Sequence, residues 1–141
     1  MNVLLGIAVI VVLLAIAIYL ESWQKKKTVE AAFSGRTPLE SEQFYDRYFK
    51  EKGVPFHIVA GIRAVLEEQL SADMSRLADT DDFSKNLNFF WDFDSMADVE
   101  IVCALEERFG IKISDNEAEK THTVSDIVNL VCNKARAQRA A

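Results

Sequence analysis

An uninterrupted apolar run, VLLGIAVIVVLLAIAIYL at residues 3–20, constrains what this chain can fold into more than any other feature. The run contains no charged residue. As an α-helix it would extend for about 27 Å, which is close to the thickness of the hydrocarbon core of a bilayer. We therefore predict a transmembrane anchor over residues 1–23 that crosses the membrane through residues 3–20.

The residues that flank the apolar run predict its orientation. Tyr19 and Trp23 are placed as interfacial aromatics, and three consecutive lysines follow at residues 25–27, whereas no Lys or Arg precedes the run. By the positive-inside tendency, we expect a single-pass protein with its C-terminal domain in the cytoplasm. The alternative is a signal peptide cleaved after residues 15–17, but the missing basic start and the length of the run argue against it.

Charge is distributed unevenly over the rest of the chain. The formal net charge is −6, but residues 79–119 contain twelve acidic and three basic residues, a net charge of −9. Such a surface repels nucleic acid and favours basic protein partners. Cys103 and Cys132 lack CxxC spacing, and the two histidines do not complete a zinc quartet. We therefore predict no metal site, and we expect both thiols to be reduced.

Beyond the anchor, the apolar pattern is helical and no alternating strand pattern competes with it. Thr37 and Glu40 form a possible capping box around Pro38, which predicts a helix over residues 38–51 that stops at Gly53. Pro55 opens a second helix. Its predicted buried stripe consists of Ile58, Ile62, Val65, Leu66 and Leu70.

The remaining segments predict a loop followed by three helical segments. Residues 71–94 lack a long period and form a loop, with Leu77, Phe83 and Leu87 as anchors into the core. We expect helices at 95–109, 114–120 and 123–135, the last one capped by Thr123 and Asp126. The predicted fold is all-α. Its parts are a basic juxtamembrane tether at 24–37, a helical domain at 38–136 and a tail at 137–141.

Ser95 has two possible roles at the head of the helix predicted for residues 95–109. With Asp98 it matches a capping box, in which the serine only satisfies backbone amides that lack a partner. Alternatively, a hydroxyl at a helix N-terminus can carry a phosphate group, because the local amides and the helix dipole favour its negative charge. The local pattern leaves both roles open.

The same helix has two apolar stripes. Ile101, Val102, Leu105 and Phe109 face the core, and a second stripe lies along another side. The second stripe either packs under the long loop or is exposed and contacts partner enzymes, flanked by carboxylates. Its members are Met96, Val99 and Cys103, and the flanking carboxylates are Asp98, Glu100, Glu106 and Glu107.

The segment DSMADVEIVCALEERFGIKISDNEAEKTHTV, residues 94–124, resembles an acyl carrier protein. In that family Asp-Ser-Leu precedes an acidic helix, and Thr-Val opens the last helix. VLEEQL, at residues 65–70, is similar to the end of the family's first helix. The resemblance covers about residues 56–133, so it implies an acyl-carrier-like bundle with one extra N-terminal helix.

The resemblance also implies a cofactor and partners. Ser95 corresponds to the serine that accepts 4′-phosphopantetheine from coenzyme A, added by a separate phosphopantetheinyl transferase. The arm's thiol would then carry acyl groups as thioesters to acyl-loading and acyl-transfer enzymes with basic docking patches. The carboxylates and apolar residues expected on the partner-recognition surface are Asp94, Met96, Asp98, Val99, Glu100, Cys103, Glu106 and Glu107.

Three features depart from the family pattern. Methionine replaces the usual leucine after Ser95. A helix and an anchor precede the carrier module. The segment NFFWDF stands before Ser95 where the family has a shorter segment that contains glycine. The inserted aromatics either enlarge the core or shape an acyl-chain cavity or docking surface. They are Phe89, Phe90, Trp91 and Phe93.

These observations lead to one main functional hypothesis, a membrane-tethered acyl carrier that is not an enzyme. The alternatives are an unmodified adaptor that binds a membrane-associated complex through its acidic helix, and a carrier-like chain that binds free lipid. A hydrolase or oxidoreductase is not expected, because no base lies next to a nucleophile and no Gly-rich phosphate loop is present.

Overall fold

The computed structural model describes residues 2–140. Met1 and Ala141, the outer ends of the predicted anchor and tail, lie outside the described residues. The chain divides into two compact units, Met1–Ser34 and Gly35–Ala141, which we call the N-terminal unit and the C-terminal unit. The described residues are mostly helical and contain no β-strand, which confirms the predicted all-α class.

The N-terminal unit is a single helix, α1, at Asn2–Ala32. By length and composition it is the one described helix that could cross a membrane, and its most apolar stretch is not buried by other parts of the protein. Within the predicted basic juxtamembrane tether at 24–37, α1 continues without interruption to Ala32, so the first part of the tether is helical. Good helix formers such as Glu30 and Ala31 support this extension, and Gly35 then turns the chain with a positive φ of 80°.

The first helix of the C-terminal unit, α2, spans Ser41–Tyr48 and is followed by a 3₁₀ turn at Lys50–Lys52. The predicted start at Thr37 is wrong, since Glu40 is the N-cap and exchanges capping hydrogen bonds with Gln43. The reason is tertiary: Leu39 is buried and its amide donates to the carbonyl of Ser75, which holds this part of the chain extended. Gly53 ends the turn with a φ of 71°, as predicted.

The central helix of the C-terminal unit, α3, spans Phe56–Leu70 and lies between α2 and two later helices, α5 at Ala97–Phe109 and α7 at Val124–Ala140. The predicted stripe of α3 is confirmed, because every one of its residues is at most 3% exposed. Gly110 ends α5 in the left-handed conformation, with a φ of 63°.

The final helices differ from the prediction mainly in length. A short helix, α6, spans Asp115–Glu119 and is capped by Ser114. The Thr123–Asp126 cap of α7 is confirmed, because the Asp126 carboxylate accepts the Thr123 amide and the Thr123 hydroxyl accepts the Asp126 amide, at 3.1 and 3.0 Å. However, α7 continues to Ala140, so residues 137–140 of the predicted tail are helical.

The connection between α3 and α5 contains turns and a four-residue helix, α4, at Phe90–Phe93. The predicted anchors Leu77, Phe83 and Leu87 are buried, which confirms their role in the core. The connection is also joined to the start of α7, because the Phe83 amide donates to the carbonyl of His122 at 2.9 Å. The long loop is therefore a fixed part of the core.

Candidate functional site

Ser95 lies in a turn between α4 and α5, outside both helices. The first residue of α5 is Ala97 and its N-cap is Met96, which makes no side-chain capping bond. The predicted helix start at Ser95 and the predicted capping box with Asp98 are therefore wrong. Ser95 is exposed, and its hydroxyl makes no hydrogen bond to any residue within 2–140.

Asp94 performs the local structural role that was predicted for Ser95. Its carboxylate accepts the amide of Met96 at 2.9 Å, and its carbonyl accepts the amide of Ala97 at 3.2 Å. Asp98 meanwhile accepts the amide of Val99 at 2.8 Å. Because two carboxylates satisfy the donors of this turn, the Ser95 hydroxyl is left accessible.

The second apolar stripe of α5 faces solvent. Met96 is 54% exposed and Val99 is 48% exposed, and Cys103 is also exposed. In contrast, Ile101 and Leu105 of the core stripe are buried, while Val102 and Phe109 are only partly buried. The stripe is therefore not packed under the long loop, since no segment within the described residues covers it.

The acidic residues beside this stripe do not share one environment. Asp94, Asp98, Glu100 and Glu107 are exposed. Glu106 is partly buried and its carboxylate accepts the amide of Ile113 at 2.9 Å, so it stabilises the turn after α5. Glu106 is consequently less available to a partner than the other four carboxylates are.

The four inserted aromatics have different surroundings. Phe90 is buried, and its ring centroid lies 4.4 Å from that of Phe89. Trp91 and Phe93 are partly buried. Trp91 donates its indole N–H to the carbonyl of Phe83 at 3.0 Å, and the two rings lie 5.8 Å apart. Phe90 therefore belongs to the core, whereas Trp91 is fixed at the edge of a groove.

That groove, which we call the apolar groove, lies between α5, α6 and α7 and has a volume of about 490 Å³. Trp91 and Phe83 form part of its wall, and Val99 connects it to the exposed stripe. Asp98, three residues after Ser95, lies on its lining. Other apolar lining residues are Ile101, Val102, Leu105, Ile113, Ala118 and Leu130.

An ion pair between the partly exposed Arg36 and the buried Asp81 holds the loop that contributes Phe83 to the groove. Asp81 is only 2% exposed and accepts two hydrogen bonds from the guanidinium of Arg36, at 2.7 and 2.8 Å. Its carboxylate also accepts the amide of Ala78 and the side chain of Asn86, at 2.8 and 3.0 Å. The hydrogen bond to Asp81 raises the pKa of Arg36.

The sequence analysis did not identify Arg36, Asp81 or the groove wall. Arg36 and Asp81 are 45 residues apart, so no local pattern links them. Phe83 was predicted only as a core anchor, although the length of its loop was a signal of function. Within residues 2–140, no group of three or more His, Cys, Asp or Glu side chains could hold a metal ion.

The Ser95 hydroxyl is exposed, has no hydrogen-bond partner within residues 2–140 and lies beside an apolar groove. This arrangement fits the attachment of a flexible arm that carries an apolar group. The hydroxyl is accessible to a second protein, and the exposed Val99 leads from the turn to the groove lining. The apolar residues around the groove could shelter a hydrocarbon chain from water.

Comparison with known proteins gives three similarities. Residues 60–131 match the family model described as a phosphopantetheine attachment site. An acyl carrier protein of Thermosynechococcus vestitus is 39% identical over 80 residues, which are 57% of this chain and 94% of the relative. An acyl carrier protein of Helicobacter hepaticus is 46% identical over 67 residues, which are 48% of this chain and 83% of the relative.

Proposed function

The chain belongs to the acyl carrier protein family, and on this premise we propose that it is a membrane-tethered carrier whose 4′-phosphopantetheine arm is attached at Ser95. Members of this family are carriers and not enzymes, and the cofactor is covalently attached. The single observation that carries the choice of residue is the exposed hydroxyl of Ser95, which has no hydrogen-bond partner within residues 2–140.

The residues around Ser95 would position the arm without taking part in covalent chemistry. Asp94 holds the turn through its hydrogen bond to the Met96 amide, so the serine is presented on a fixed turn just before α5. When attached, the arm supplies a thiol that carries acyl groups as thioesters. The apolar groove, with Trp91 and Val99 in its lining, would shelter a bound acyl chain from water.

The solvent-facing side of α5 would be the docking surface for phosphopantetheinyl transferase and acyl-processing enzymes. The exposed apolar stripe of Met96, Val99 and Cys103 supports this role. The exposed carboxylates Asp98 and Glu100 would attract basic patches on partners, so association should weaken as the salt concentration rises. We assign Glu106 a mainly structural role because it accepts the Ile113 amide.

Helix α1 would anchor the carrier in a membrane, with the C-terminal unit in the cytoplasm. Its length and composition, followed by the lysines at 25–27, support this assignment. Tethering would raise the effective concentration of the acyl donor beside membrane-bound acyltransferases without requiring any new contact.

Intact-mass measurement tests the attachment site. After co-expression with several phosphopantetheinyl transferases, we expect the chain to gain the mass of one phosphopantetheine group. Ser95→Ala should abolish this gain completely, and the control Ser41→Ala should retain it. If neither the co-expressed nor the native protein carried the group, the unmodified adaptor would be the better assignment. The same spectra would show whether the chain is cleaved after Ala17, an outcome that contradicts the anchor.

A further inference from the structure

A second groove lies at the opposite end of α5 from Ser95, and we call it the basic groove. It has a volume of about 320 Å³ and is formed by the first turn of α3, the last turn of α5 and the last turns of α7. From Ala97 to Phe109, α5 rises about 18 Å along its axis, so the two ends are well separated. The lining residues are His57, Arg108, Phe109, Ala135, Gln138 and Arg139.

The charge of the basic groove is opposite to that of the surface near Ser95. Arg108 and Arg139 line the groove, no carboxylate is among the lining residues, and both arginines are exposed. Neither arginine forms a salt bridge within the described chain. The charged residues within five positions of Ser95, in contrast, are all exposed carboxylates: Asp92, Asp94, Asp98 and Glu100. The C-terminal unit therefore has an acidic end and a basic end.

The walls of the basic groove are held by specific contacts. A Cβ atom added to Gly61 of α3 would lie 2.8 Å from Cζ of Phe109 and 2.9 Å from Nε of Arg108. Both side chains therefore use the space left by this glycine to pack against α3. On the other wall, the Gln138 side chain donates to the carbonyl of Gly110, which joins α7 to the end of α5. The groove is thus already formed in the folded chain.

We propose that the basic groove is a docking surface for the anionic phospholipid headgroups of the bilayer in which α1 is anchored. This inference rests on the membrane-tethered part of the proposed function. Guanidinium groups bind phosphate through two parallel hydrogen bonds, and the half-buried ring of Phe109 provides an apolar wall. An anionic leaflet attracts basic residues that lie within a few ångströms of its surface.

A bilayer surface fits this groove better than a soluble phosphorylated partner does. The tethered C-terminal unit would always be close to the bilayer, so even a weak surface contact would be well populated. Docking of the basic end would also turn the acidic start of α5 away from a surface of the same charge. Ser95 would then remain accessible to soluble partners, and the orientation of the carrier would depend on the lipid composition.

Hydrogen exchange on the full chain tests this inference. The protein would be reconstituted into nanodiscs of phosphatidylcholine alone or with about one third phosphatidylglycerol, at a physiological salt concentration. We expect the amides at 108–110 and 135–140 to exchange about tenfold more slowly in the anionic discs. Arg108→Gln combined with Arg139→Gln should abolish that difference. The charge-matched control, Lys85→Gln combined with Lys120→Gln, should retain it.

Gly61→Ala provides a variant that leaves every charge in place. The added methyl group would displace Arg108 and Phe109 from α3, so we expect the lipid-dependent protection to fall several-fold. The inference is overturned by equal exchange in both kinds of disc, or by equal loss of protection in the control. It is also overturned if inorganic phosphate alone protects these amides in phosphatidylcholine discs.

Two further measurements separate this inference from the proposed function. Co-flotation with phosphatidylcholine vesicles reports on the anchor without anionic lipid. Ser95→Ala should dock on anionic discs as the unchanged chain does, because the basic groove does not involve Ser95. If the chain floats but shows no lipid-dependent protection, the docking surface is wrong while the anchor stands. If it fails to float, the tether itself is wrong.

Discussion

The two central helices of the C-terminal unit, α3 and α5, have similar apolar patterns but different surroundings. Helix α3 packs against α2 on one side and against α5 and α7 on another. Helix α5 leaves Met96 and Val99 about half exposed. The difference shows that an apolar stripe does not by itself define a core face. Within the described residues no segment covers the second stripe of α5, so this helix, unlike α3, presents an apolar surface to solvent.

The segment that covers α3 precedes the region matched by the family model. Phe44 of α2 is buried, and the guanidinium of Arg63 on α3 lies over its ring at 5.1 Å. Tyr45 packs edge-on against Phe56 and donates its hydroxyl to the carbonyl of Val54 at 2.7 Å. The additional N-terminal helix is therefore an integrated layer of the domain.

The largest expected effect comes from removing the ion pair that fixes this covering segment. Arg36→Met leaves the Asp81 carboxylate buried without its bidentate partner, so we expect the free energy of unfolding to fall by about 3 kcal/mol. Urea denaturation measures the change. Arg47→Met, which removes an exposed arginine on α2, should change it by less than about 0.5 kcal/mol.

A double variant sharpens this prediction. Arg36→Met combined with Asp81→Asn removes both charges and keeps a side-chain oxygen that can accept the Ala78 amide, so it should recover part of the stability lost in the single variant. If the single variant were as stable as the unchanged chain, the ion pair would not be what holds the covering segment and the loop with Phe83.

An intermediate effect on stability is expected at Trp91, which lines the apolar groove beside the solvent-facing side of α5. Trp91→Ala removes part of the groove wall and the hydrogen bond to Phe83, so we expect a loss of about 2 kcal/mol in stability. Thioesters of long acyl chains on the loaded protein should also hydrolyse several-fold faster. Phe93→Ala is the control, because Phe93 does not line the groove, and an equal acceleration there would contradict this role for Trp91.

The smallest effect on stability is expected on the exposed stripe itself. Val99→Ala should change the free energy of unfolding by less than about 0.5 kcal/mol, because the side chain is half exposed. The rate of modification by a phosphopantetheinyl transferase, measured as kcat/KM, should nevertheless fall about fivefold. Val65→Ala on α3 is the opposite case, and it should lower stability by more than 1 kcal/mol while kcat/KM of the folded fraction stays unchanged.

Much of this architecture follows from local patterns. The stripe of α3 was predictable because its residues recur with the helical period, and the turns at Gly53 and Gly110 were predictable because glycine adopts positive φ easily. The start of α2 was not predictable. Thr37 and Glu40 are both acceptable caps, and only the pairing of Leu39 with Ser75 decides between them.

The candidate site divides in the same way between sequence and structure. The sequence alone determined that a serine follows an aspartate at the head of an acidic helix, and that a membrane-length apolar run precedes it, because both are contiguous patterns. Only the tertiary structure decided that Asp94 satisfies the turn and leaves Ser95 accessible. It also decided that Arg36 forms an ion pair with Asp81 and that Trp91 and Phe83 line the same wall of the apolar groove. The ion pair joins residues 45 positions apart and the groove wall joins residues 8 positions apart, and a linear pattern specifies neither contact. The turn at Asp94 is local, but the sequence allows either Asp94 or Ser95 to satisfy its amides, and only the folded chain shows that Asp94 does so.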